Sequence, residues 1–431
     1  MGTATYPAYE RYKETHLEIA PKIPAHWQVW KVSHAFQKVG SGTTPDTGKA
    51  VFYGGGISWL QTGDLTDGSI TSTNKTISPL ALRKFSTLKV YPPGSLVMAM
   101  YGATIGKLGK LEISATTNQA CCVFAESDVV TSDFAFYSLL AMRTYILADA
   151  YGGGQPNISQ QVIKAFKLIV PPLPEQRAIT KFLDEKCAGV DEAVRIKEQQ
   201  IALLRERQQI LIQHAVTRGL NPDTPMKDSG IDWIGQIPAH WAVQRNKHMF
   251  VEINERSAKG TEQHLSMSQK LGLVPANLVE KSLVSESYEG AKLVRVGDLV
   301  LNRLKAHLAV FSIAPMEGLV SPDYSVFRPF VDGASSQYYE ALFKTSKYLG
   351  ELRLRVRGIV EGFYRLYTDS FMDIPLLIPP QVEQGEIVAH LDQLASRFEA
   401  AISIKQDQID TLKEYKTCLI NAAVTGKIKV I

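Results

Sequence analysis

The 431-residue sequence is poor in cysteine, and none of its four cysteines stands in a CxxC spacing. Cys121, Cys122, Cys187 and Cys418 therefore suggest neither a zinc site nor a disulfide framework, and reduced thiols are expected. Unbroken apolar runs near the roughly 18 residues of a membrane span are missing, and the polar opening MGTATYPAYERYK lacks the apolar stretch of a secretion signal. The expectation is a cytoplasmic protein without membrane contact. A strong charge of one sign is missing as well. Lys and Arg number 47 and Asp and Glu 43, a formal net charge of +4, so a nucleic-acid partner needs locally clustered cations. Catalytic signatures are equally scarce. GATIGKLG lacks the spacing and Lys-Ser/Thr ending of a phosphate loop and reads as a turn beside a strand. There is no Asn-Pro-Pro-Tyr-like or Asp-Pro-Pro-Tyr-like motif and no glycine-rich cofactor loop after a strand. Pro322 and Asp323 resemble the start of a nuclease motif but lack an acidic-x-Lys partner downstream, so no metal site is expected. His26 and His240 stand alone in their stretches and read as structural; Cys121 and Cys122 read as small apolar residues of a strand.

What the sequence has is a repeat. IPAHW occurs at Ile23 to Trp27 and again at Ile237 to Trp241, and KETHLE from Lys13 answers KDSGID from Lys227 at the same offset of 214 residues. Downstream, LIVPPLPEQ ending at Gln176 answers LLIPPQVEQ ending at Gln384, Phe182-Leu-Asp answers His390-Leu-Asp, and Ala215-Val-Thr answers Ala423-Val-Thr, all at an offset of 208. One unit is present twice. Between the matching ends the copies diverge, although VYPPGSLVMAMYGATIGK (Val90 to Lys107) and VRVGDLVLNRLKAHLAV (Val294 to Val310) keep a turn followed by an apolar strand. With 45% hydrophobic and 21% charged residues, and short apolar strands punctuated by Gly and Pro, both interiors read as compact α/β (α+β) domains.

Each copy closes with a different texture. After the Pro-Pro pair no proline occurs from Glu175 to about Thr217, and a heptad seam can be laid on Val190, Val194, Lys197, Ile201, Leu204, Gln208, Leu211 and Ala215. Shifted by 208 it reads Phe398, Ile402, Lys405, Ile409, Leu412, Lys416, Leu419 and Ala423. An apolar stripe at alternating spacings of four and three predicts a coiled coil, and a twofold relation between the copies predicts that its helices run antiparallel. At about 1.5 Å per residue each would form a rod of roughly 60 Å. The expected division is a globular domain over residues 1–174, a helix over 175–222, a second domain over 223–378 and a second helix over 379–431.

The order GSGTTP, WLQTGDL, PGSLVMAMYGATIGK, ATTNQA and NISQQVIKAFKLIVPPLPEQRAI, then LSMSQKLGLVP, GDLVLNRLKAHLAV and IPPQVEQGEIVAHLD, resembles the specificity subunits of type I restriction-modification systems over nearly the whole chain. The resemblance implies a non-catalytic subunit with two target-recognition domains separated by two long helices. It implies double-stranded DNA as ligand, with two modification subunits that methylate adenine and up to two restriction subunits as partners. S-adenosylmethionine, ATP and Mg would belong to those partners, with none in this chain. The target would be bipartite and asymmetric.

Base edges are matched by Arg and Lys for guanine and by Asn and Gln for adenine. The candidates in the first copy are Tyr101, Lys107, Asn118, Gln119, Gln155 and Asn157. In the second they are Arg303, Lys305 and His307 of RLKAH, and Arg353, Arg355, Arg357, Tyr364 and Arg365, the densest basic run with adjacent aromatics. IPAHW belongs to the repeated frame, and Trp27 and Trp241 are expected to be buried there. The rival readings are a coiled-coil scaffold with peptide-binding domains, a self-contained methyltransferase or nuclease, and a tandem RNA binder.

Overall fold

A computed structural model describes residues 6–148, 157–269, 271–279, 288–331, 334–358 and 364–430. The chain forms two compact units, one of Met1–Lys197 with Asp407–Ile431 and the other of Glu198–Gln406. Each unit is framed identically by the repeated segments. In the first, Tyr12–Leu17 pairs antiparallel with Ala20–Pro24, setting Lys13 opposite Ile23; in the second, Met226–Asp228 pairs with Gln236–Pro238, setting Lys227 opposite Ile237. The strand after IPAHW then pairs with the strand before the Pro-Pro pair, Gln28–Lys31 with Lys167–Val170 and Ala242–Arg245 with Pro375–Ile378. Both ends of each interior are thereby tied together.

The interiors, divergent in sequence, keep one sheet. In the first unit its order is Lys38–Ser41, Cys121–Ala125, Leu96–Ala99, Leu108–Leu111, with Gly68–Ile70 added parallel at the edge. In the second it is Phe250–Ile253, Tyr324–Pro329, Leu299–Asn302, Phe311–Ile313. The four shared strands are antiparallel in both, and the central register agrees, Phe124 facing Leu96 as Phe327 faces Leu299. The central strands are apolar on both faces because helices or further strands cover both sides. Cys121 and Cys122 lie fully buried in this sheet, where burial pushes both thiols up and makes them fill space.

Two long helices, Leu173–Arg218 and Gln381–Val424, follow the proline pairs. The prolines stop the preceding strand and offer carbonyls to the first turn: Gln176 N donates to Pro172 O and Gln384 N to Pro380 O, each at 3.0 Å. Gly219 and Gly426 end the helices at φ of +77° and +72°, a left-handed conformation that a side chain would strain. All sixteen seam positions are buried or half-buried. Within the first unit the helices run antiparallel: Glu175 and Gly426 both lie against Trp27, while further along Lys416 Nζ bonds Asp191 at 2.7 Å. Within the second, Ala215 and Val216, late in the first helix, share a core with Ile387, early in the second. No helix among the described residues is long and apolar enough to cross a membrane.

Candidate nucleic-acid interface

The repeated frame meets itself at one side-chain joint in each unit. Trp27 Nε1 donates to Glu175 Oε2 at 2.9 Å and His26 Nε2 lies 2.5 Å from Glu175 Oε1. In the other unit Trp241 Nε1 donates to Glu383 Oε2 at 3.0 Å, and His240 Nε2 lies 2.7 Å from the same oxygen. His26 and His240 are therefore not solitary, as the sequence reading had them, because the glutamate arrives from a helix about 150 residues downstream. The following glutamine turns the other way. Gln176 accepts from Thr131 N and donates to Val129 O, and Gln384 accepts from Ser335 N, so each helix start is tied to the interior of its own unit. Both tryptophans are fully buried. Buried indole N–H groups need an acceptor, which the first-turn glutamate supplies.

The polar candidates collect at one end of the central strands, where the strand ending at Ala99 meets the one beginning at Cys121. Met100 N donates to Ala120 O at 2.8 Å, Ile158 N donates to Met100 O at 2.9 Å, and Tyr101 forms a backbone bridge with Asn157. Tyr101, Lys107, Gln119 and Asn157 are all exposed there. Thr44 of GSGTTP donates to Gln119 Oε1. Asn118 is different: it is buried, its Oδ1 accepts from Ala120 N at 3.1 Å, and it shapes the turn. Gln155 lies outside the described residues. The close approach of GSGTTP explains its glycine, since a Cβ at Gly42 would fall 1.7 Å from Thr117 O.

The second unit uses the matching strand ends, after Asn302 and before Tyr324, and lays its arginines across them. Arg303 Nε donates to Asp323 O at 2.7 Å, and Arg365 donates from its guanidinium to Asp323 Oδ1 at 3.3 Å. The two basic stretches, about fifty residues apart in sequence, thus form one patch. Leu366 N donates to Arg303 O at 2.9 Å, Arg353 Nε donates to His307 O at 3.2 Å, and the His307 ring stands edge-on to Tyr364 at 5.6 Å. Burial, and then Arg353, hold the His307 imidazole below its ordinary value. Lys305 and Arg357 are exposed. Arg355 instead turns inward, 2.6 Å from Glu351 and 3.8 Å from Asp373. A cavity of about 670 Å³ opens beside the patch, lined by Asn302, Lys305, Ser321, Asp323 and Tyr324 among others. Thr44 and Asp323 were missed by residue-type reasoning. Thr44 was visible only as part of a family motif, and Asp323 carries the wrong sign for a phosphate.

The two sites differ in chemistry. The first presents a phenol, a hydroxyl and amides with a lysine nearby; the second presents a fan of guanidinium groups around a carboxylate. Both arrangements suit the grooves of a duplex, where amides and guanidiniums pair with base edges and cations with phosphates.

Comparison with known proteins agrees with this geometry. Residues 24–204 match the type I restriction modification DNA specificity domain. The type I restriction enzyme MjaVIII specificity subunit of Methanocaldococcus jannaschii is 22% identical over 98% of this chain and 96% of its own length. The EcoKI specificity subunit of Escherichia coli K12 is 23% identical over 87% of this chain and 83% of its own. Among solved structures, a chain from a study of complex assembly and conformational transition of the type I R-M system superposes with a TM-score of 0.67 at 15% identity, covering 94% of this chain and 99% of that one. The HsdS subunit of Thermoanaerobacter tengcongensis superposes with a TM-score of 0.51 at 16% identity, covering 96% and 100%. Doubled frame, doubled sheet and these likenesses together make the chain similar, over nearly its whole length, to type I restriction-modification specificity subunits.

Proposed function

We propose that this chain reads DNA sequence for a type I restriction-modification complex, each unit taking one half of a bipartite, asymmetric target. The observation that carries the reading is the matched end of the central strands: the same place in two repeated domains holds base-compatible side chains of different kinds. Identical frames suit identical partners, and unlike sites suit unlike sequences. The chain itself is non-catalytic in this reading. Two modification subunits would supply adenine methylation with S-adenosylmethionine, restriction subunits would supply ATP-driven cleavage, and the long helices would set the unread spacer.

The experiment is long-read mapping of adenine methylation in cells expressing this chain with the modification subunit encoded beside it. A two-part asymmetric motif that disappears without this chain is the expected result. No new methylation from an assembled complex would reduce the protein to a duplicated scaffold.

A further inference from the structure

We propose that Arg365, held in place by Asp323, determines specificity by reading a guanine in the half-target met by the second unit. The inference rests on the proposed role in DNA recognition and names the side chain and base class behind it. Arg365 is fixed on two sides of its backbone: its N–H and C=O exchange hydrogen bonds of 2.8 and 2.9 Å with Arg357, and the next residue's N–H bonds Arg303 O. Its side chain is held too, one guanidinium nitrogen donating to Asp323 Oδ1 at 3.3 Å. Asp323 is itself anchored, because its carbonyl accepts from Arg303 Nε and its N–H donates to Ser321 Oγ.

A guanidinium has five N–H donors in a rigid fork, so one bond to a carboxylate leaves donors for the O6 and N7 acceptors of guanine. A phosphate contact needs charge but no fixed fork. The hold on the side chain is what separates the two roles: Asp323, 3.3 Å from Arg365 and 3.7 Å from Arg303, keeps the Arg365 fork in one orientation, as reading a base edge requires. Arg357, facing solvent at 69% side-chain exposure and 3.9 Å from Asp369, has the looser setting of a phosphate contact.

The test uses the full chain assembled with its modification subunits and duplexes carrying the mapped target, each guanine replaced in turn by 7-deazaguanine, which lacks the N7 acceptor. The wild-type complex should lose about tenfold or more in affinity at one guanine of one half-target. Arg365→Ala should abolish that position's penalty and leave those at other guanines intact. Asp323→Asn should shrink the same penalty without weakening binding to an unrelated duplex, which a merely structural loss would also weaken. If Arg365→Ala keeps every penalty, Arg365 reads no guanine and the proposal is overturned; it is overturned equally if no guanine shows a penalty in the wild type. A wild-type complex that binds no duplex refutes DNA recognition itself, an outcome distinct from either. Thermal melting of each variant guards against misfolding.

Discussion

At the scale of the residue, IPAHW is explained by its joint. The indole of Trp241 is fully buried and finds its acceptor in Glu383, while the Gly219 position, where a Cβ would come 2.8 Å from Glu383 Oε1, leaves room for the carboxylate. Trp241→Ala should therefore cost about 3–5 kcal/mol of stability through the cavity it leaves. Glu383→Ala should cost about 1–3 kcal/mol by stranding the indole N–H. Denaturant unfolding measures both, and unchanged stability with lost DNA binding would move Trp241 from frame to interface. Two arginines that look alike in the sequence separate in the same way. Arg355 is engaged by Glu351 and donates to Ser370 O, so Arg355→Ala should lower the melting temperature. Arg357→Ala should leave stability nearly unchanged, weaken DNA binding, and reduce the salt dependence of log affinity by about one unit of slope. Equal effects of the two variants on melting would erase the distinction.

At the scale of the element, the seam of the long helices was legible because a heptad stripe is a local property of sequence, and both copies carry it. All its positions proved buried or half-buried, including Lys197 and Lys405, whose long aliphatic stems can pack while the ammonium stays in water. One step off the seam the situation reverses: Leu203 is 62% exposed whereas Ile409 is 1% exposed. Ile409→Ala should cost about 2–5 kcal/mol, and Leu203→Ala should stay within about 0.5 kcal/mol of wild type. Comparable losses from both would mean that the packing face has been misassigned. The interior sheets were less legible. Their strands are short and nearly uniformly apolar, so periodicity alone could not order them, and only the echo around Val90 and Val294 hinted that both interiors share one fold.

At the scale of the whole molecule, duplication with divergence makes the two units respond differently to the same conditions. Burial lowers the imidazoles of His264 and His307 in the second unit below their ordinary value. As pH falls through about 6.5 the unfolded chain takes up these protons before the folded one does, so the histidine contribution to stability is present above that pH and lost below it. Melting at pH 5.5 should accordingly fall relative to pH 7.5, and the double variant His264→Asn with His307→Asn should flatten the dependence; an unaltered slope would show that these histidines do not carry it. The sequence alone determined the duplication, the placement of the frames at the ends of each copy, the long helices and their seam, because repetition and heptad spacing are written in residues close along the chain. The tertiary structure decided which side chains act together. His26 with Glu175, Gln119 with Thr44, and Arg303 with Asp323 and Arg365 are brought together by sheet pairing and loop return across dozens of residues. It also turned Arg355 inward and Asn118 into a buried turn residue, since hydrogen bonding and burial at a folded edge depend on neighbours that no local pattern names.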